Sequence, residues 1–96
     1  MSETFDWCKD KTKLASLNKR MLRINRDGDK YWYLNGKYHR QNGPAIEYAD
    51  GDRVWYLKGK RHRVDGPAFE YANGDRFWYL NGIEYSESAY WKELYK

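Results

Sequence analysis

Three five-residue stretches, at 30–34, 53–57 and 76–80, place a Trp between two other strand-forming residues and follow it with Leu: Tyr31-Trp32-Tyr33, Val54-Trp55-Tyr56 and Phe77-Trp78-Tyr79. Aromatic and β-branched residues at this density fit a pleated strand. Strand alternation sends Tyr31, Tyr33, Val54, Tyr56, Phe77 and Tyr79 to one face and the three Trp, with Leu34, Leu57 and Leu80, to the other. Both faces therefore carry large apolar groups. That pattern predicts a twisted or rolled ribbon whose Trp/Leu row forms an inner ladder.

Polar punctuation separates the strands. Asn35-Gly36, Lys58-Gly59 and Asn81-Gly82 follow each stretch directly and suit two-residue hairpin turns, which need positive φ. A second turn per unit is predicted at Asp27-Gly28-Asp29, Asp50-Gly51-Asp52 and Asn73-Gly74-Asp75. Short strands at 45–48 and 68–71 follow Pro44 and Pro67, which cannot donate a ladder hydrogen bond and so belong at a strand's first residue.

These signals recur with a period of 23 residues, from Trp32 to Trp55 to Trp78, and aligning residues 25–47 on 48–70 gives 14 identities in 23 positions. The expected fold is mainly β: an antiparallel meander of stacked hairpin repeats, with units at about 25–47, 48–70 and 71–85 in an array over 20–85. One hairpin cannot bury its own apolar face, so the units must stack. Residues 86–96 predict a short capping helix, with Ser86 as N-cap, Glu87 in the first turn and Ala89, Tyr90 and Leu94 on one side. Residues 1–19 predict an N-terminal cap, helical if the spacing of Phe5, Trp7, Cys8, Leu14, Leu17 and Met21 holds.

Composition sharpens this picture. The chain is 96 residues long, 19% aromatic and 33% charged, with a mean hydropathy of −1.14. The aromatics separate it from disordered sequences, and the length allows only a thin core. A formal charge of +4 is compatible with acidic partners, although eighteen basic residues are largely offset by fourteen acidic ones. A lone Cys8 permits no internal disulfide and fits a reducing compartment. The first residues lack a signal-peptide pattern and no segment has the length of a membrane span, so a cytoplasmic location is expected.

The period, with its Tyr-, Gly- and Asp-Gly-rich phrasing, resembles the membrane occupation and recognition nexus (MORN) repeat family over about residues 20–82. Gly59-Lys60-Arg61-His62 and Tyr71-Ala72-Asn73-Gly74 look like that family's turns, while Trp-Tyr-Leu before the hairpin Gly departs from it. The "HR..GPA" phrase and the helix after the last Asn-Gly are also similar to small uncharacterised phage and bacterial proteins. These resemblances imply an interaction scaffold, sometimes dimeric, sometimes lipid-binding, and not an enzyme.

The candidate chemistry is sparse. His39 and His62 sit at equivalent positions, and a residue recurring in every unit is more naturally structural than catalytic. A dyad of His62 with Asp65 is the one enzymatic alternative, and its counterpart at the first unit is Asn42. Two His and one Cys do not make a metal site, and no cofactor is expected. The Gly residues lack the following helix of a phosphate loop. The Trp residues invite base stacking, against which their strict spacing argues for packing.

The candidate partner surface is the basic turn edge: Lys37, Tyr38, His39 and Arg40 in one unit, and Lys58, Lys60, Arg61, His62 and Arg63 in the next. Stacking in register would align Arg40 and Arg63 as a basic stripe. The expected function is a non-enzymatic protein-binding module; the phage-like resemblance implies a version that blocks a host enzyme or defence complex in the host cytoplasm. The alternative is a nucleic-acid or nucleotide binder, including one that sequesters a phosphate-bearing signal. Lipid binding ranks last, since no basic amphipathic helix is present. A homodimer through an open sheet edge is a further expectation.

Overall fold

A computed structural model describes residues 19–96. The expected N-terminal helix lies outside the described residues. Among the described residues, ten strands precede one helix: β1 (Arg20–Ile24), β2 (Lys30–Leu34), β3 (Lys37–Tyr38), β4 (Ile46–Glu47), β5 (Arg53–Val54), β6 (Tyr56–Leu57), β7 (Lys60–Arg61), β8 (Phe69–Glu70), β9 (Arg76–Leu80), β10 (Ile83–Tyr85) and α1 (Glu87–Leu94). The protein is mainly β, and every pairing is antiparallel.

Turn chemistry explains the order. Asn35, Lys58 and Asn81 have φ of 53°, 51° and 52°, and the glycines after them 82°, 84° and 84°. Two successive left-handed residues make a type I′ turn, whose twist matches that of the flanking strands. These turns close the hairpins β2–β3, β6–β7 and β9–β10. The opposite turns are braced across sequence: Asp29 Oδ1 accepts from the Ala49 N–H and Asp52 Oδ1 from the Ala72 N–H, each at 2.7 Å. The first bond is the main reason the Asp29 carboxyl titrates below its ordinary value, and Asn25 adds to it.

The main sheet runs β1-β2-β4-β5-β8-β9-β10, with β3 on β2 and β6–β7 as a separate ladder. One stretch expected as a single strand is thus split at Trp55, between β5 and β6. The short strands after the prolines are also two residues rather than four. Register places Lys30 opposite Glu47, Glu47 opposite Arg53, Arg53 opposite Glu70 and Glu70 opposite Arg76. Opposite charges thus alternate across five strands, an arrangement that favours this register over a slip.

The buried set differs from the expected Trp/Leu ladder. Ala45, Ile46, Val54, Ala68, Leu80 and Tyr90 are buried, whereas Trp32, Trp55 and Trp78 are only half-buried. The smallest principal extent is 16 Å, the thickness of a sheet with its side chains rather than of two packed sheets. In a single layer the residues best hidden are those in or next to the central strands, such as Ala45, Ile46, Val54 and Ala68, and the large rings must be covered by something else.

Candidate functional site

The cover over the Trp face is arginine. The Arg40 guanidinium carbon lies 3.7 Å from the centre of the Trp32 ring and that of Arg63 lies 3.8 Å from Trp55. Each head is then fixed at its edges. Arg40 Nη1 donates to the Pro44 carbonyl and to Glu47, both at 3.1 Å. Arg63 Nη1 donates to the Pro67 carbonyl at 3.0 Å and to Glu70 at 3.2 Å, while its Nε reaches Asp65 at 2.8 Å. A Cβ at Gly66 would lie 3.0 Å from the Arg63 Cζ, so glycine lets the loop close over the guanidinium. The "HR..GP" phrase is in this sense a clamp for one cation.

At the third Trp the clamp changes chemistry. Ser86, at the position equivalent to Arg63, is instead the N-cap of α1, accepting from the Ala89 N–H at 3.2 Å. The helix delivers Tyr90, 0% exposed, with its ring centre 6.5 Å from that of Trp78. The Tyr90 hydroxyl donates to the Arg63 carbonyl and accepts from the Gly66 N–H at 3.4 Å. The indole N–H of Trp78 is buried with no hydrogen-bond partner.

The two histidines are bonded alike. His39 Nδ1 accepts from the Lys58 N–H and His62 Nδ1 from the Asn81 N–H, each at 2.9 Å. Each imidazole thus holds the hairpin turn of the following unit, and its proton sits on Nε2. Burial lowers both imidazole pKa values; at His39 the charges of Arg20 and Lys58 add to this. Asp65, the partner required for a His62 dyad, is held by Arg63.

The lowered histidines give a signed expectation. The unfolded chain takes up protons first, so this contribution to stability is full above about pH 6.5, the ordinary imidazole value, and is lost as pH falls through the lower folded values. His39→Asn with His62→Asn keeps an acceptor at the same place and removes the titration. Denaturant melts of that pair should lose the slope that the parent shows between about pH 7 and 5. An unchanged slope would place the sensitivity elsewhere.

The opposite face is aromatic. Tyr33 and Tyr31 stack on Tyr38, with ring centres 5.1 and 6.2 Å away, and the tilted ring of Tyr56 lies 5.1 Å from Tyr38. Arg61 continues the row: its Nε is 3.4 Å from the Tyr56 hydroxyl and its Nη1 3.1 Å from that of Tyr79. Phe69, Tyr71 and Phe77 form a second cluster, with Phe69 and Tyr71 at 4.4 Å. The hydroxyl of Tyr56 is the foremost cause of the raised Arg61 pKa.

The nine residues singled out by sequence thus divide. Tyr38 and Arg61 lie on the aromatic face, Lys37 and Lys60 point to the Trp face, and Lys58 sits in a turn; the three lysines are exposed. His39, His62, Arg40 and Arg63 are bonded within the fold. Arg40 and Arg63 do line one cleft of about 430 Å³ with Trp55, Leu57, His62 and Val64, but each guanidinium is paired with a glutamate. Sequence reading did not place Arg61 among the tyrosines. The register of a two-residue hairpin, which sets Arg61 opposite Tyr56, was the available signal.

No family model, curated protein or solved structure matches this chain. Among the described residues, no group of three or more His, Cys, Asp or Glu is placed to hold a metal ion. No helix among them is long and apolar enough to cross a membrane.

Proposed function

We propose that this chain is a non-enzymatic protein-binding module, a stacked array of hairpin repeats closed by its C-terminal helix, which engages its partner through the tyrosine face around Tyr38 and Arg61. The observation that carries this reading is the division of the arginines. Arg40 and Arg63 are neutralised by Glu47 and Glu70, so the edge that would track a phosphate backbone keeps mainly lysines. Counterion release by nucleic-acid binding needs free cations along a groove. The tyrosine face instead offers half-exposed rings with an arginine among them, the side chains that dominate protein interfaces. Resemblance to small phage proteins supports the narrower version, in which the partner is a host enzyme or defence complex that is bound and blocked.

The test is capture from bacterial lysate, with nuclease treatment and at low and high salt. The double variant Tyr38→Ala, Arg61→Ala is compared with the triple variant Lys37→Ala, Lys58→Ala, Lys60→Ala. One protein species should survive nuclease and high salt, be lost at least tenfold with the tyrosine-face pair, and be kept by the lysine triple. Loss on nuclease or salt, or loss only with the lysines, would overturn this reading in favour of nucleic acid or a nucleotide.

A further inference from the structure

Among the described residues, nothing pairs with the outer side of the first strand of the sheet. β1 is terminal in the strand order, and all five of its residues are exposed, including Met21 at 42%, Leu22 at 48% and Ile24 at 58%. Its backbone groups can be assigned from its neighbour. Trp32, opposite Leu22, spends its N–H on the Ala45 carbonyl at 2.8 Å and its carbonyl on the His39 N–H at 3.0 Å. Both bonds lie on the side away from β1. At the two ends of the ladder the Asn35 N–H donates to the Lys19 carbonyl and the Asn25 N–H to the Asp29 carbonyl. Antiparallel alternation then gives the ladder bonds to Met21 and Arg23 and turns the N–H and C=O groups of Arg20, Leu22 and Ile24 outward.

Charge distinguishes this edge from the central strands of the sheet. Lys30, Arg53 and Arg76 each face a glutamate across the ladder, and Arg40 and Arg63 have ion pairs. Arg20 and Arg23 face Leu34 and Tyr31 and have no ion pair among the described residues. Arg20 also lines a cleft of about 340 Å³ with Leu22, Trp32 and His39, and its charge reaches His39.

We infer that the outer side of β1 is a docking edge for an extended acidic segment of a partner protein, which adds to the sheet as an antiparallel strand. The register follows from alternation. Partner residues opposite Ile24, Arg23, Leu22, Met21 and Arg20 read, in the partner's own direction, apolar, acidic, apolar, any, acidic. The outward groups of Arg20, Leu22 and Ile24 supply the main-chain bonds, and the two arginines select the acidic positions. A second copy of this chain fits the charge less well, because it would bring two more arginines to the same edge.

The probe is a synthetic peptide, Thr-Val-Glu-Val-Thr-Glu-Thr, titrated into the full chain with amide hydrogen exchange read by NMR. Expected are slowed exchange at Leu22 and Ile24, unchanged exchange at Met21 and Arg23, and at least tenfold weaker binding to an Arg20→Glu, Arg23→Glu variant that keeps the parent melting curve. The same peptide with Lys for Glu should not bind, and one with an N-methyl group at its central Val should lose binding through the missing donor. Protection spread over Tyr38 and Tyr56, or equal binding of the lysine peptide, would overturn the proposal. So would protection of Leu22 that rises with protein concentration alone, which would mean self-pairing. The lysate experiment on the tyrosine face reads different residues, so either result can fail without the other.

Discussion

Tyr90→Ala is expected to remove about 3–5 kcal/mol of stability, the range for deleting a fully buried aromatic side chain. Small domains hold roughly 5–15 kcal/mol in all, so this one change should bring the C-terminal part of the sheet near its unfolding midpoint at room temperature. The size follows from position. Among the described residues Tyr90 is the one large side chain that is completely hidden, it meets the ring of Trp78, and its hydroxyl bonds both sides of the loop that encloses Arg63. Tyr90→Phe separates the parts: it keeps the ring and leaves the Arg63 carbonyl and Gly66 N–H without a partner, at about 1–3 kcal/mol. Urea melts followed by tryptophan fluorescence measure both. A Tyr90→Ala melt within about 1 kcal/mol of the parent would mean that α1 does not secure the sheet.

The second large effect is expected at Arg63. Arg63→Ala removes a stacked cation, worth about 0.5–2 kcal/mol, and the charged hydrogen bonds to the Pro67 carbonyl and Glu70. A total loss of about 2–4 kcal/mol is expected, since those acceptors are left short of donors. The Asp65 contact adds little, because its carboxylate is 79% exposed. Arg63→Lys should recover less than half: an ammonium cannot lie flat on Trp55 and reach both acceptors. Lys58→Ala and Lys60→Ala should stay within about 0.5 kcal/mol of the parent. Equal small effects at all three positions would return Arg63 to the role of a free surface charge.

Much of the strand layout was legible because local signals agreed. Leu34-Asn35-Gly36-Lys37 carries hairpin chemistry within four residues, and β2 has the bounds that alternation predicted. Ser86 and Glu87 likewise announced α1 one residue before it begins. The buried layer was not legible from the strands, because hydrophobicity ranks Trp55 above Ala68, whereas a single-layer sheet hides whichever residue lies at its middle. The fate of the arginines was hidden for a related reason. "His-Arg" reads as surface charge until Gly66, Pro67 and Glu70 are seen to converge on Arg63 from three to seven residues further on. Arg61 and Arg63, two residues apart, end up on opposite faces, one among tyrosines and one on a tryptophan.

The strand pairing also sets how this protein assembles in time. The widest separation between paired residues in the ladder is that of Lys30 with Glu47 and of Arg53 with Glu70, 17 positions each. Low contact order places folding in the fast regime, because little loop entropy is lost before a contact forms. No pairing joins the first strand to the last, so no single closure event commits the whole chain. The sheet should zip from a central hairpin toward both ends and fray in reverse, with amides of β4, β5 and β8 exchanging last. Its unfolding should therefore be graded: different probes along the sheet would report different midpoints.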